Sequence, residues 1–330
     1  MQYALLGETG LLVSRLAFGV MTFTAGNHDI GAVYKVGAEL ADELVGRALD
    51  RGVTFFDTAD GYAGGESEAL LGRALRHRRD SVVIATKVGF RTGAPLTQAA
   101  LSRRHITWSV EQSLTQLGTD WIDVYLAHWE DPYTPLEETL SAFDAVVASG
   151  KVRYIGFSNW SAWKVAAPLE IQKANSLAPF THGQMHYSLL GRDVGRDVVP
   201  MMQRYGLGMT VWNPLASGFL SYAGFDILPF DKEHGFGVVD RLRAIAGRHD
   251  ASVAQTALAW LLARPSVTSV LIGAAKLAQL DDNLGAADVH LTSDDIAELD
   301  AATPLHPVYP NWYIDSLTDQ PVNQALAGLS

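Results

Sequence analysis

The stretch Phe55–Leu75, FFDTADGYAGGESEALLGRAL, reads as a strand, a glycine turn and a helix in succession. Val53, Phe55 and Asp57 alternate at period two, so the spacing predicts a strand whose face ends in a carboxylate. Gly61, Gly64 and Gly65 mark a turn. Leu70, Leu71, Ala74 and Leu75 recur at helical spacing and predict one buried helix face. An isolated Asp at a strand end is an ordinary turn residue. Residues far away in the chain give Asp57 a second reading.

The same strand-then-helix unit recurs on both sides of this stretch. Upstream, Tyr3–Val13 predicts a small hairpin, Leu16–Phe18 a strand and Glu39–Arg51 a helix. Downstream, strands are expected at Ser81–Val88, Trp121–Trp129, Val152–Asn159, Phe180–Met185, Leu207–Leu215 and Val267–Ile272. Helices are expected at Leu101–Leu117, Leu136–Ala148, Ser161–Ala174, Val194–Tyr205, Val238–Arg248, Val253–Ala263, Leu277–Ala286 and Ser293–Ala302. Ser217–Gly237 reads as a long glycine- and aromatic-rich loop, and 304–330 as a tail without regular pattern. Repeated βα units imply parallel strands joined by right-handed crossovers. Eight of them predict an α/β fold, a closed (β/α)8 TIM barrel with an N-terminal β-hairpin and long loops at its C-terminal face. An open dinucleotide-binding sheet would carry G-x-G-x-x-G after its first strand, and that turn is missing. No linker divides the chain, so residues 1–330 are read as one domain.

Composition narrows the partners. Of 330 residues, 36 are acidic and 25 basic, and the formal charge of -11 argues against nucleic acid or an anionic membrane as a partner. The chain has no cysteine, which fits a reducing compartment. Glu8 and Arg15 interrupt the N-terminal apolar residues before a signal-peptide core can form, and no apolar run is long enough to span a membrane. A cytoplasmic location is expected. Nothing in the sequence specifies the oligomeric state.

In barrels of this kind the active site lies at the C-terminal strand ends. Those ends read Asp57, Lys87, His128, Ser158–Asn159, Gln184 and Trp212. Val83, Ala85 and Lys87 share one face, as do Ile122, Val124, Leu126 and His128. One polar group ending an apolar inward face could be a cap. Several on successive strands demand partners, because burying them unpaired is costly.

Taken together, FDTADGY with GGESEALLG, VIATKVG, DVYLAHWEDPYTPLEETL, GKVRYIGFSN, QMHYSLLGR, WNPLASGFL and VLIGAAKLAQLDDNLGA resemble the aldo-keto reductases. The likeness runs from about Tyr3 to Gly285 and is strongest to the branch of bacterial reductases and potassium-channel β-subunits. It implies an NAD(P)H-dependent oxidoreductase that interconverts a small aldehyde or ketone and an alcohol, without a metal. It also implies a catalytic tetrad of Asp57, Tyr62, Lys87 and His128. Tyr62 would be the general acid, Lys87 would lower its pKa, Asp57 would hold Lys87, and His128 would orient the substrate oxygen.

The resemblance assigns the cofactor too. Ser158, Asn159 and Gln184 would hold the nicotinamide carboxamide and Trp212 would stack on the ring. Asn213, Pro214, Leu215, Gly218 and Leu220 would follow the pyrophosphate. Gly273, Lys276, Gln279 and Asn283 would meet the adenosine end. Phe23 and Trp129, the loop after Ser217 and the tail would shape the substrate pocket. Relatives commonly carry G-A-S-R where this chain has Gly273-Ala274-Ala275-Lys276. A hydroxyl is lost and an arginine becomes lysine, so NADP(H) is expected to be preferred but not strictly, with NAD(H) usable. The alternative in another class is a cofactor-sensing subunit with slow turnover, like the channel β-subunits.

Overall fold

The computed structural model describes residues 1–326 apart from His28, Ala32, 222–230 and Thr318. Strands β1 (Tyr3–Leu5) and β2 (Leu12–Ser14) form an antiparallel hairpin, Tyr3 facing Ser14. The barrel begins with β3 (Leu16–Gly19), α1 (Ala38–Asp50), β4 (Phe55–Asp57), α2 (Glu66–Leu75) and β5 (Val83–Val88). It continues with α3 (Arg103–Leu117), β6 (Ile122–Ala127), α4 (Leu136–Ala148), β7 (Val152–Ser158), α5 (Ala162–Ala174) and β8 (Phe180–His186). Then come α6 (Val198–Arg204), β9 (Gly208–Trp212), α7 (Lys232–Arg248), α8 (Val253–Leu262), β10 (Ser269–Ile272), α9 (Leu277–Gly285) and α10 (Ser293–Ala302). Two short helices, α11 (Asn311–Ser316) and α12 (Gln320–Leu326), follow.

Strands β3 to β10 close on themselves in the order β10-β3-β4-β5-β6-β7-β8-β9, every pair parallel. This is the (β/α)8 barrel with an N-terminal hairpin that the repeated units predict. Two apolar layers hold it. Ala17, Phe55, Val83, Ala85, Val124, Leu126 and Leu271 form an inner cluster, joined by Leu6 and Val13 of the hairpin. The larger layer, with Phe56, Ile84, Tyr125, Phe143, Phe157 and Trp260, lies between strands and helices. The hairpin thus plugs the barrel at the N-terminal ends of its strands. It seats closely because Gly7 is in the left-handed region (φ 61°), and a Cβ there would stand 2.5 Å from Gly208 N.

Local differences from the sequence reading have local causes. Val53 and Ile122, expected inside with Phe55 and Val124, belong to the outer layer. Val53 precedes the regular part of β4 and Ile122 opens β6, so strict alternation does not yet hold there. Helix α7 starts at Lys232, six residues before the expected Val238, because Asp231 caps it by accepting from His234 N at 3.1 Å. Its glycines read as loop, yet Gly235 is a packing residue: a Cβ there would lie 2.8 Å from the Phe219 ring. Residues 222–230 of the expected loop lie outside the described residues. The tail is also more regular than expected, since α11 and α12 occupy it, with Tyr309 and Trp312 exposed. Among the described residues no helix is long and apolar enough to cross a membrane.

Candidate active site

Asp57 ends β4, Lys87 is the fifth residue of β5, and His128 follows the last residue of β6. These strands are neighbours, so the three side chains enter one end of the barrel together. Tyr62 opens the turn after β4, where Ala63, Gly64 and Gly65 all have positive φ and bring the chain round into α2. All four tetrad residues expected from the sequence converge.

Lys87 has no exposed surface. Its Nζ donates to Asp57 Oδ1 at 2.6 Å and to Thr58 O at 2.7 Å, and stands 3.5 Å from Tyr62 OH. The three donors of the ammonium are thereby used. Burial pulls Lys87 down, but Asp57 and Tyr62 outweigh it and hold the amine charged, above its ordinary pKa. Asp57 accepts at both oxygens, the second from Gln184 Nε2 at 2.7 Å.

For Tyr62 the balance differs from the sequence expectation. The Lys87 cation does pull the phenol down, but burial pushes it up more strongly, and the net direction is up. The protein alone holds Tyr62 as a phenol. His128 is driven well below its ordinary pKa by burial and by the Lys87 cation, so its ring is neutral. Its ring meets Tyr62 edge-on, with centroids 5.7 Å apart.

Phe90 packs against both His128 and Trp129, with ring centroids 4.6 Å and 3.8 Å away. Sequence reasoning missed it. The available signal was its place three residues beyond Lys87, with Gly61 opposite: a Cβ on Gly61 would lie 2.8 Å from Phe90. The pocket residue Trp129 stacks on His128 at 5.3 Å. Phe23 is instead fully buried in the outer layer, edge-on to Phe18. There it packs in the core rather than walling a pocket.

The nicotinamide set also meets. Trp212 Nε1 donates to Asn159 Oδ1 at 2.8 Å, and Asn159 Nδ2 donates to Ser158 Oγ at 3.0 Å. Asn159 and Asn213 both adopt left-handed backbones, φ 59° and 54°, which Asn tolerates better than most residues. Asn213 Oδ1 accepts from Ser217 N at 2.5 Å and fixes the turn that contains Pro214 and Leu215. Ala216, Ser217 and Gly218 continue it with positive φ. Leu220 is fully buried, so only its backbone could face a ligand.

At the far end Lys276 is the N-cap of α9 and exposed; its carbonyl accepts from Leu280 N at 3.1 Å, while its ammonium has no hydrogen bond or ion pair among the described residues. Gln279 Oε1 accepts from Ala275 N at 3.0 Å. Asn283 is buried and donates to Gly273 O at 3.1 Å, so it shapes this turn from behind. Among the described residues no group of three or more His, Cys, Asp or Glu side chains could hold a metal ion.

Comparison with known proteins follows the same outline. The sequence model described as Aldo/keto reductase family matches residues 15–304. A probable aldo-keto reductase 1 of Glycine max is 32% identical, over 94% of this chain and 92% of the relative. A probable voltage-gated potassium channel subunit beta of Oryza sativa subsp. japonica is 35% identical, over 93% of this chain and 98% of the relative. A versiconal hemiacetal acetate reductase of Aspergillus parasiticus is 32% identical, over 91% and 96%. With a barrel of the expected topology and these matches along nearly its whole length, the chain belongs to the aldo/keto reductase family.

Proposed function

We propose that the chain reduces small aldehydes or ketones with NADPH, and oxidises the matching alcohols, with Tyr62 as general acid and base. The observation that carries this reading is the buried Lys87 ammonium, shared between Asp57 Oδ1, Thr58 O and Tyr62 OH. A phenol near pKa 10 gives up its proton reluctantly, and burial makes that harder. A fixed cation at the phenol oxygen stabilises the phenolate that proton donation would leave. Tyr62 would then pass its proton to the substrate oxygen as negative charge develops there. Neutral His128 offers that oxygen a hydrogen bond without adding a second cation. Phe90 and Trp129 wall the site and exclude water.

The donor set suits a nicotinamide dinucleotide. Ser158, Asn159 and Gln184 present hydroxyl and amide groups that both donate and accept, as a carboxamide requires. Trp212, its indole N–H already tied to Asn159, offers a ring fixed in orientation. When bound, the cofactor supplies the hydride. Unpaired Lys276 at the start of α9 is placed to attract a 2′-phosphate, aided by the helix N-terminus. Lysine lacks arginine's fork and Ala275 has no hydroxyl, so NADH remains usable. The lack of cysteine agrees with a cytoplasmic enzyme.

The relatives named as channel subunits favour a second reading, a cofactor sensor whose turnover is slow. Titrating NADPH and NADH against intrinsic tryptophan fluorescence, then following NADPH oxidation with a panel of aldehydes, ketones and sugars, separates the two. Turnover of about 1 s⁻¹ or faster on any of them supports the enzyme. Tight binding with far slower turnover throughout supports the sensor, and no binding of either cofactor defeats both.

A further inference from the structure

Behind the tetrad, between the barrel wall and helices α2 and α3, lies a second group of polar side chains that the reaction does not use. Asp60 follows β4, Glu68 is on α2, Thr86 is on β5, Ser109 and Ser113 are one turn apart on α3, and Tyr125 is on β6. Glu68 is 1% exposed and Asp60 6%, and the other four have no exposed surface. Ser109 Oγ donates to Asp60 Oδ2 at 2.8 Å and Thr86 Oγ1 to Glu68 Oε1 at 2.5 Å. The Ser113 hydroxyl faces Glu68, and the Tyr125 phenol lies beside Ser109, within the field of both carboxyls.

Two features of this chamber are unresolved by the protein itself. Three buried oxygens, Asp60 Oδ1, Ser113 Oγ and Tyr125 OH, complete no well-formed hydrogen bond among the described residues, Ser113 and Tyr125 having only the facing Glu68 and Ser109 as poorly aligned neighbours and Asp60 the Gly61 amide. The two carboxyls also have no cation of their own. Neither forms an ion pair among the described residues, and the nearby Lys87 spends its donors on Asp57, Thr58 and Tyr62. Burial and mutual repulsion push Asp60 well above the ordinary carboxylate range, and burial pushes Glu68 up to about 7. A buried water would satisfy the oxygens but leave the charge. A proton on one carboxyl would remove its charge but leave the other. A monovalent cation does both, and hard oxygen ligands suit it. A divalent ion fits less well, because each carboxylate already has one oxygen occupied by a hydroxyl.

We propose that the chamber formed by Asp60, Glu68, Ser113 and Tyr125 is a binding site for a dehydrated monovalent cation, sodium or potassium. Asp60 N donates to Lys87 O at 3.1 Å and Asp60 lies in the turn that carries Tyr62, so the ion would brace the tetrad from outside the barrel.

The test uses the full chain. Thermal unfolding is followed in potassium, sodium and choline chloride at equal ionic strength, and crystals are grown from a thallium(I) salt. One of the two alkali ions should raise Tm over choline by about 3 °C or more, saturably. An anomalous thallium peak should lie against Asp60 Oδ1. Ser113→Ala, which removes a ligand oxygen without changing charge, should erase the salt difference, as should Asp60→Asn. Equal Tm in all three salts overturns the proposal, as does the lack of a thallium peak in the chamber. A salt difference that survives both substitutions overturns it too, because the ion then binds elsewhere. Should Asp60→Asn fail to fold, the wild-type thallium crystals and Ser113→Ala still decide.

Discussion

Gln184 Nε2 donates to Asp57 Oδ2 at 2.7 Å, across 127 residues of sequence. The side chain expected to read the cofactor is thus also a hydrogen-bond donor to the carboxylate that holds Lys87. Losing that bond raises the Asp57 pKa, so Asp57 takes up a proton and releases Lys87 at higher pH as the solution is acidified. Gln184→Leu should therefore move the acid limb of the pH–rate profile upward by about one unit or less, the scale of one hydrogen bond. Weaker cofactor binding with an unmoved profile would assign Gln184 to the cofactor alone.

Tyr62→Phe removes the proton donor and leaves the ring packing against His128. Cofactor binding should persist while kcat falls by at least about two orders of magnitude. Near-normal kcat would remove Tyr62 from the acid role.

The two ends of the cofactor should respond differently. Trp212→Ala should weaken NADH and NADPH binding alike, since its proposed contact is with the shared ring. Lys276→Ala should raise the Kd for NADPH by roughly one to two orders of magnitude, the scale of a charge-assisted contact of about 1.5–3 kcal/mol. Its Kd for NADH should hardly move. Isothermal titration of both cofactors checks this, and equal losses for both would show that Lys276 reads no phosphate.

Stability at acid pH should depend on Asp295, the residue that pins α10 to α7. Burial pushes its carboxyl up, but Thr292, His249 and Arg248 outweigh that and hold it well below the ordinary range. A lowered folded pKa means that its stabilisation is full above the unfolded value near 3.9 and fades as pH falls through the folded one. Asp295→Ala should cost on the order of 1–2 kcal/mol at pH 7. The helix cap dominates that figure, because Arg248 is half exposed and its pairing is screened. Urea unfolding should show the gap between variant and wild type narrowing below about pH 3.9. A constant gap would mean that the charge contributes nothing.

What could be read from sequence was what repeats or ends a pattern. Asp57, Lys87 and His128 were legible because each is a polar residue closing an apolar period-two face, and the barrel because its unit recurs. Tyr62 and Lys276 entered through the family resemblance, as did the stacking role of Trp212. Alternation failed at Val53 and Ile122, where the strand is not yet regular. The start of α7 was hidden because Gly235 looks like loop until Phe219 is seen against it. The bond from Gln184 to Asp57, the packing of Phe90 and the chamber around Asp60 join elements remote in sequence, and no local pattern signals them.

Arg15, beside the hairpin that plugs the barrel, donates to the carbonyls of Leu262 and Val267, 247 and 252 residues away. Strand β3 has β10 as one of its two neighbours, and the hairpin rests on Gly206 and Gly208. On the ribosome these first segments must therefore wait for nearly the whole chain. At about 5–20 residues per second, some 250 residues take roughly 12–50 s to emerge. During that interval one edge of β3 has no native partner and the hairpin lacks its late ones, Leu271, Gly206 and Gly208, so this is the window in which a nascent chain most needs a chaperone. The first barrel strand synthesised waits for the last one to close the barrel.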